Sequence, residues 1–164
     1  MPLLVRDSGG TAVLQGPGIV TLSLVHAPCS RNLDESYGSL RAVAAAAFAP
    51  WGIEIGFGAV DGAFCDGKHN LVVHGRKFAG TAQRRQSRRF TAALAHAVLL
   101  IDVDVQAMTR GINRFYSLAG ATQRFSPDGC FSLRELPAFA NCADLEVRAI
   151  AELSRASAAW LAEA

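Results

Sequence analysis

The sequence predicts an α/β (α+β) domain: a mixed, mainly antiparallel sheet with flanking helices. Three observations carry that expectation. Strand-like segments come in neighbouring groups joined by glycine-containing turns, the pattern of hairpins. Stretches of helical period lie between those groups. Strands and helices do not alternate one for one, as a parallel βαβ sheet would require.

Composition bounds the rest. A chain of 164 residues is the size of one domain, 1–164. With 51% hydrophobic and 18% charged residues it can bury an ordinary core. A net charge of +2 is too small to draw in nucleic acid by bulk electrostatics. The longest nearly uncharged stretch, 42–53, contains Pro50 and is too short to span a bilayer, so no membrane partner is expected. The four cysteines form no CxxC pair and no secretory signal opens the chain. That excludes a zinc ribbon or redox dithiol and fits a reduced, cytoplasmic protein. The four histidines show no ligand spacing, so no metal is expected.

Taken in order, residues 2–6 read as a short strand and Asp7-Ser8-Gly9-Gly10 as a turn. Residues 11–15 read as a second short strand, and Gly16-Pro17-Gly18 as another turn. The glycines suit tight turns that need positive φ, or else expose backbone N–H groups to a ligand. Residues 19–26 (IVTLSLVH) are β-branched and alternating, hence a strand. Asn32 or Asp34 can cap a helix reaching Phe48, with Leu33, Tyr37, Leu40, Val43, Ala44 and Ala47 on its apolar face; Pro50 ends it. Residues 52–60 alternate Ile53, Ile55 and Phe57 and read as a strand. A hairpin over 71–83 follows, with its turn at His74-Gly75. Arg84, Arg85, Arg88 and Arg89 are then either a solvated loop or a patch for an acidic partner. Residues 92–103 are ambiguous, because alanine favours helix while Val98 to Ile101 favour a buried strand. Residues 104–119 read as a helix with Met108, Ile112 and Phe115 inward. After a loop over 120–130 and a short turn over 133–136, residues 144–163 read as a helix with Leu145, Ile150, Leu153, Trp160 and Leu161 inward.

The chemistry concentrates in residues 62–85, where Cys65 precedes the hairpin and Lys77 lies on its second strand. An ammonium beside a thiol stabilises the thiolate and can hold a carbonyl, which suits nucleophilic acyl chemistry. The same residues also read as a small half-buried cysteine and a solvated strand lysine. Cys29, Cys130 and Cys142 read as packing residues, and Asp61 and Asp66 as loop residues. His69 and His74 also read as loop residues, with His69 near enough in sequence to act as a base for Cys65.

Three segments in order resemble a known family. VRDSGGTAVLQGPG (5–18) is similar to its glycine-loop pattern, GRKFAGTAQRR (75–85) to its G-R-K-h-x-G-x-A-Q-R segment, and LAHAVLLIDVD (94–104) to its h-x-H-G-T-L-L-h-D-h-D segment. The family is the lipoate–protein ligase and octanoyltransferase superfamily, the biotin/lipoate A/B protein ligases. The resemblance implies a fold like the biotin synthetase and class II synthetase catalytic domains. It implies transfer of octanoate or lipoate to the lysine of a lipoyl domain. Lys77 falls on the active-site lysine, and Cys65 matches, by spacing, the nucleophile of the cysteine-dependent octanoyltransferase branch. Arg6, Gly9, Gly10, Gly80 and His96 fall on substrate-binding positions, with backbone N–H groups near Gly10 or Gly80 placed to hold an oxyanion.

The expected partners are an acyl carrier protein and a lipoyl-domain or H-protein-type acceptor. A transferase would require no cofactor; an ATP-dependent ligase, the first alternative, would use ATP and Mg. A non-catalytic acyl- or carrier-binding protein is the second. The departures are Val5 for the first arginine of the pattern, Thr11 for its third glycine, Gln15 for its histidine and His96-Ala97-Val98 for H-G-T. His69-Asn70 stands where the ligases have Asn-Asp. The family also places a strand–helix–strand segment ahead of the glycine loop, on which Met1 almost sits. The domain is therefore expected to be N-terminally short, with a bare sheet edge that a homodimer would cover.

Overall fold

A computed structural model describes residues 3–27, 32–86 and 92–163; Cys29, Arg88 and Arg89 lie outside the described residues. Five strands, β1 (Ile19–His26), β2 (Gly56–Phe57), β3 (Leu71–Val73), β4 (Arg76–Gln86) and β5 (Ala92–Leu100), form one sheet in the order β1-β5-β4-β3-β2. Every neighbouring pair is antiparallel. The helices are α1 (Leu33–Phe48), α2 (Val105–Leu118) and α3 (Leu145–Glu163). Among the described residues, no helix is long and apolar enough to cross a membrane.

The local signals explain much of this. The Asn32 side chain accepts from the Asp34 N–H and caps α1, and Asp104 accepts from the Ala107 N–H and caps α2. The ambiguous stretch is strand β5: it lies between β1 and β4, so hydrogen bonding on both edges overrides alanine's helix propensity. Its alternation divides the interior. Ala95, Ala97 and Leu99 join the larger core, shared with Leu40, Val43 and Phe48 of α1 and Leu145 and Leu153 of α3. Leu100 joins a smaller core with Phe64, Met108, Ile112 and Cys130. Two helices therefore back the main core, while α2 packs with the second, beside the site.

Several expectations are corrected. The described residues of 2–6 and 11–15 form no strand. Within 52–60 only Gly56 and Phe57 pair, with Val72 and Leu71, although Ile53 and Ile55 are buried as the alternation implied. Arg84 and Arg85 belong to β4 rather than to a loop. On α3 the inward row is Leu145, Ala149, Leu153 and Ala156. Ile150 and Leu161 lie one position off that row and are 45% and 66% exposed. Phe115 is likewise partly exposed on α2.

Candidate active site

Lys77 owes its position to the tight turn before it. His74 (φ 51°) and Gly75 (φ 72°) are both left-handed, as a two-residue turn closing a right-twisted hairpin requires, and Val73 faces Arg76 across it. One residue further, Lys77 bridges Cys130, and its carbonyl accepts from the Phe131 N–H at 2.8 Å. The side chain is only 1% exposed. A buried ammonium must find partners. Nζ donates to the carbonyls of Phe64 (2.5 Å) and Cys65 (2.9 Å) and lies 4.7 Å from the Phe64 ring centroid. Burial pushes the amine's pKa below its usual value, with negative charge on Cys65 opposing the shift. Gly80 leaves room for this amine, since a Cβ there would sit 3.3 Å from both Cε and Nζ.

Cys65 sits half-buried in an irregular loop, in the left-handed region at φ 47°. That conformation is uncommon for a residue with a Cβ. The carbonyls of residues 64 and 65 are the two that Lys77 holds, so the lysine anchors the strained loop. The Thr11 N–H donates to Sγ at 3.3 Å, and Arg6 Nη2 approaches it at 3.7 Å. Burial raises the thiol pKa, but the Thr11 hydrogen bonding, the Lys77 charge and the Arg6 contact outweigh it and leave the thiol below its ordinary value. Cys130 behaves oppositely: it is fully buried and burial pushes its thiol up.

The glycine loop folds over this thiol. Gly10 (φ +106°) allows the approach, because a Cβ there would meet Arg6 Nη2 at 2.4 Å and Cys65 Sγ at 3.0 Å. Arg6 Nη2 also donates to the Thr11 carbonyl at 2.9 Å. Gly9 faces open space. His96 Nε2 lies 3.3 Å from Ser8 Oγ; burial and then the Arg6 charge keep its pKa below the usual imidazole value. Cys65, Lys77, Arg6, Gly10 and Gly80 thus come together, with His96 joined to the loop through Ser8.

Sequence reasoning missed the Thr11 N–H and Ser8, whose roles depend on backbone placement and on contacts 54 and 88 residues away. Asp66 is occupied structurally: its Oδ1 accepts from the Val60 N–H and the Asn70 amide, both at 2.8 Å. His69 stacks on Tyr37 with ring centroids 4.2 Å apart and pairs with Asp34 at 3.2 Å. Burial keeps its pKa low.

Two hollows meet at Cys65. One is an apolar slot lined by Val13, Leu14, Phe64, Val98 and Leu100, with Arg6 and Lys77 at the thiol. Its volume is about 20 Å³, room for about one water. The other is an open polar groove of about 300 Å³, lined by Gly9, Gly10, Tyr37, Gly67, His69 and Gln83 among others. A larger hollow of about 660 Å³, edged by Arg76, Asp104 and Arg134, lies away from this thiol.

A half-buried thiol and a buried amine thus stand side by side, between an apolar slot and a polar groove, on a helix-flanked antiparallel sheet. The chain belongs to the lipoyl protein ligase A/B catalytic domain family, whose model matches residues 1–151. It is 39% identical over 145 residues to an octanoyl-[GcvH]:protein N-octanoyltransferase of Kyrpidia tusciae, covering 84% of this chain and 50% of that protein. It is 27% identical over 124 residues to a lipoyl-[GcvH]:protein N-lipoyltransferase of Listeria monocytogenes, covering 74% and 44%. The chain thus spans about half the length of these curated relatives. The fold is similar to a crystal structure of lipoate-protein ligase A bound with ATP (TM-score 0.69, 15% identity, 95% of this chain and 57% of that one). It is also similar to a bi-partite lipoate protein ligase from Thermoplasma acidophilum (TM-score 0.58, 15% identity, 95% and 56%). The α/β fold with its antiparallel sheet and flanking helices is therefore the one the sequence implied.

Proposed function

We propose that this domain transfers an octanoyl or lipoyl group from one protein's lysine to another's through a thioester on Cys65. The observation that carries the reading is the Cys65 thiol itself. It is held by the Thr11 N–H, flanked by Arg6 and Lys77, shifted toward thiolate, and set where an apolar slot meets an open groove. The relatives add support, since they are named for moving octanoyl or lipoyl groups from [GcvH] to a protein nitrogen.

In the first half-reaction the Cys65 thiolate attacks the acyl carbonyl, giving a tetrahedral oxyanion near Arg6 and the Gly10 loop. As the carbon–nitrogen bond breaks, the leaving lysine nitrogen takes a proton from the Lys77 ammonium. In the second, the acceptor's lysine amine attacks the thioester carbonyl, the carbon–sulfur bond breaks, and the surplus proton returns to Lys77. Burial lowers the Lys77 pKa, which eases release of its proton in the first half. The acyl chain takes the apolar slot. At about 20 Å³ the slot is too small for an eight-carbon chain, so entry requires its wall to open.

The test is transfer of octanoate from an octanoylated H-protein-type lipoyl domain to a second lipoyl domain without nucleotide. The expected result is transfer by the wild type and none by Cys65→Ala. Transfer that needs free octanoate with ATP and Mg, and survives Cys65→Ala, would instead support an ATP-dependent ligase.

A further inference from the structure

We infer that Gly111 of α2 is a specificity-determining residue: through Leu14 it sets how long an acyl chain the slot beside Cys65 can take. This rests on the thioester reading of Cys65 and goes beyond it, to the length of the group that is transferred.

Gly111 stands in the middle of α2, where only proline is a poorer helix former than glycine. Its φ is not positive, so no left-handed turn calls for a glycine there. A neighbouring side chain does. A Cβ at Gly111 would sit 3.0 Å from Leu14 Cδ1, closer than carbon atoms pack. Leu14 in turn lines the slot with Val13, Phe64, Val98 and Leu100. Its side chain is therefore the layer between helix and slot. Phe64 and Leu100 continue from the slot into the smaller core, where they join Met108 and Ile112 of α2.

The walls of the slot are held unequally. Gly80, Val98 and Leu100 lie on β4 and β5, the two strands that each pair on both sides. The loop at Phe64 and Cys65 is tied down by the Lys77 ammonium. Val13 and Leu14 lie on a segment that joins no strand. A slot of about 20 Å³ must open to admit a medium-length chain, and the Leu14 wall is the one tied neither to the sheet nor to the lysine. Leu14 can back toward α2 only as far as residue 111 permits. Bulk at 111 then shortens the chain the slot accepts, and a smaller side chain at 14 lengthens it.

The test follows acylation of Cys65 by the butyryl, octanoyl and decanoyl thioesters of N-acetylcysteamine. It compares the wild type, Gly111→Val, Leu14→Ala and the double variant. Gly111→Val is expected to lower the ratio of kcat/KM for octanoyl over butyryl by at least about tenfold, the scale of one methylene of misfit in an apolar pocket. Leu14→Ala is expected to raise the ratio for decanoyl over octanoyl. In the double variant most of the loss from Gly111→Val disappears, because the side chain that transmits it is gone. Gly111→Ala, with a smaller fall in the same ratio expected, replaces the valine variant should that one fail to fold. An unchanged octanoyl-to-butyryl ratio on substitution of Gly111, no gain for decanoyl in Leu14→Ala, or a loss as large in the double variant as in the single overturns the assignment and leaves the thioester reading standing. A wild type acylated neither by these thioesters nor by an octanoylated lipoyl domain overturns the thioester reading and this inference with it.

Discussion

The Lys77 ammonium donates to the carbonyl oxygen of Cys65 at 2.9 Å, so the strand that carries the lysine and the loop that carries the thiol are one hydrogen-bonded unit. Lys77 acts on the loop in two ways. Its bonds to the carbonyls of residues 64 and 65 fix the left-handed conformation at Cys65, and its charge favours the thiolate.

Replacing that lysine separates the site from the fold. Lys77→Met keeps the length of the chain and removes a buried charge, so the protein should stay folded by circular dichroism. Transfer should fall by about 10²–10⁴, the usual contribution of a positioned acid–base group. Lys77→Arg should not restore it, because a guanidinium keeps its proton and is bulkier than the amine, which is 1% exposed and held by two carbonyls.

The thiol's environment predicts a pH profile. Alkylation of Cys65 by iodoacetamide should have its midpoint below that of an ordinary free cysteine. Lys77 and Arg6 both favour the charged form, so removing either raises the pKa and moves the midpoint up. At pH 7 the wild type should therefore react faster than Lys77→Met or Arg6→Gln. A midpoint unmoved in both variants would contradict the assigned electrostatics.

Gly10 predicts a different failure. Gly10→Ala places a Cβ in a left-handed residue, against Arg6 Nη2 and the Cys65 sulfur. Arg6 must swing away from the thiol, and the positive φ at residue 10 strains the loop at a cost of about 1–3 kcal/mol. The alkylation midpoint should rise and transfer should drop, whereas Gly9→Ala, in open space, should leave the alkylation midpoint where it is.

Stability should be most sensitive elsewhere. Gly18 has φ +81°, and a Cβ there would lie 2.1 Å from the Asp102 carbonyl oxygen, while its own carbonyl accepts from the Ile101 and Asp102 N–H groups. Gly18→Ala should destabilise the fold by at least about 2 kcal/mol. That lowers Tm by some 4–8 °C for a domain of this size. Thermal unfolding measures it directly.

What was legible in the sequence was local. The Asn32 cap, strand β1 and the His74-Gly75 hairpin follow from neighbouring residues and stand where the pattern put them. Residues 92–100 carried both a helix former's composition and a strand's apolar run, and only their place between β1 and β4 decides for strand. On α3, small alanines at 149 and 156 face the core where the larger Ile150 and Leu161 were expected, because the helical row rather than side-chain size sets the inward face. At the site, Cys65 and Lys77 were visible as residue types within a resemblance, as were the glycines around them. The bonds that tune them were not. The Thr11 N–H reaches Cys65 across 54 residues, and Cys130 meets Lys77 only through the fold.

The central claim is an acyl group on the sulfur of Cys65. Intact-mass spectrometry after incubation with an octanoylated lipoyl domain, wild type beside Cys65→Ala, tests it most directly. The account predicts a single octanoyl adduct on the wild type, removed by neutral hydroxylamine and absent from Cys65→Ala. An adduct that persists in Cys65→Ala, or transfer that proceeds at the wild-type rate without Cys65, would contradict it.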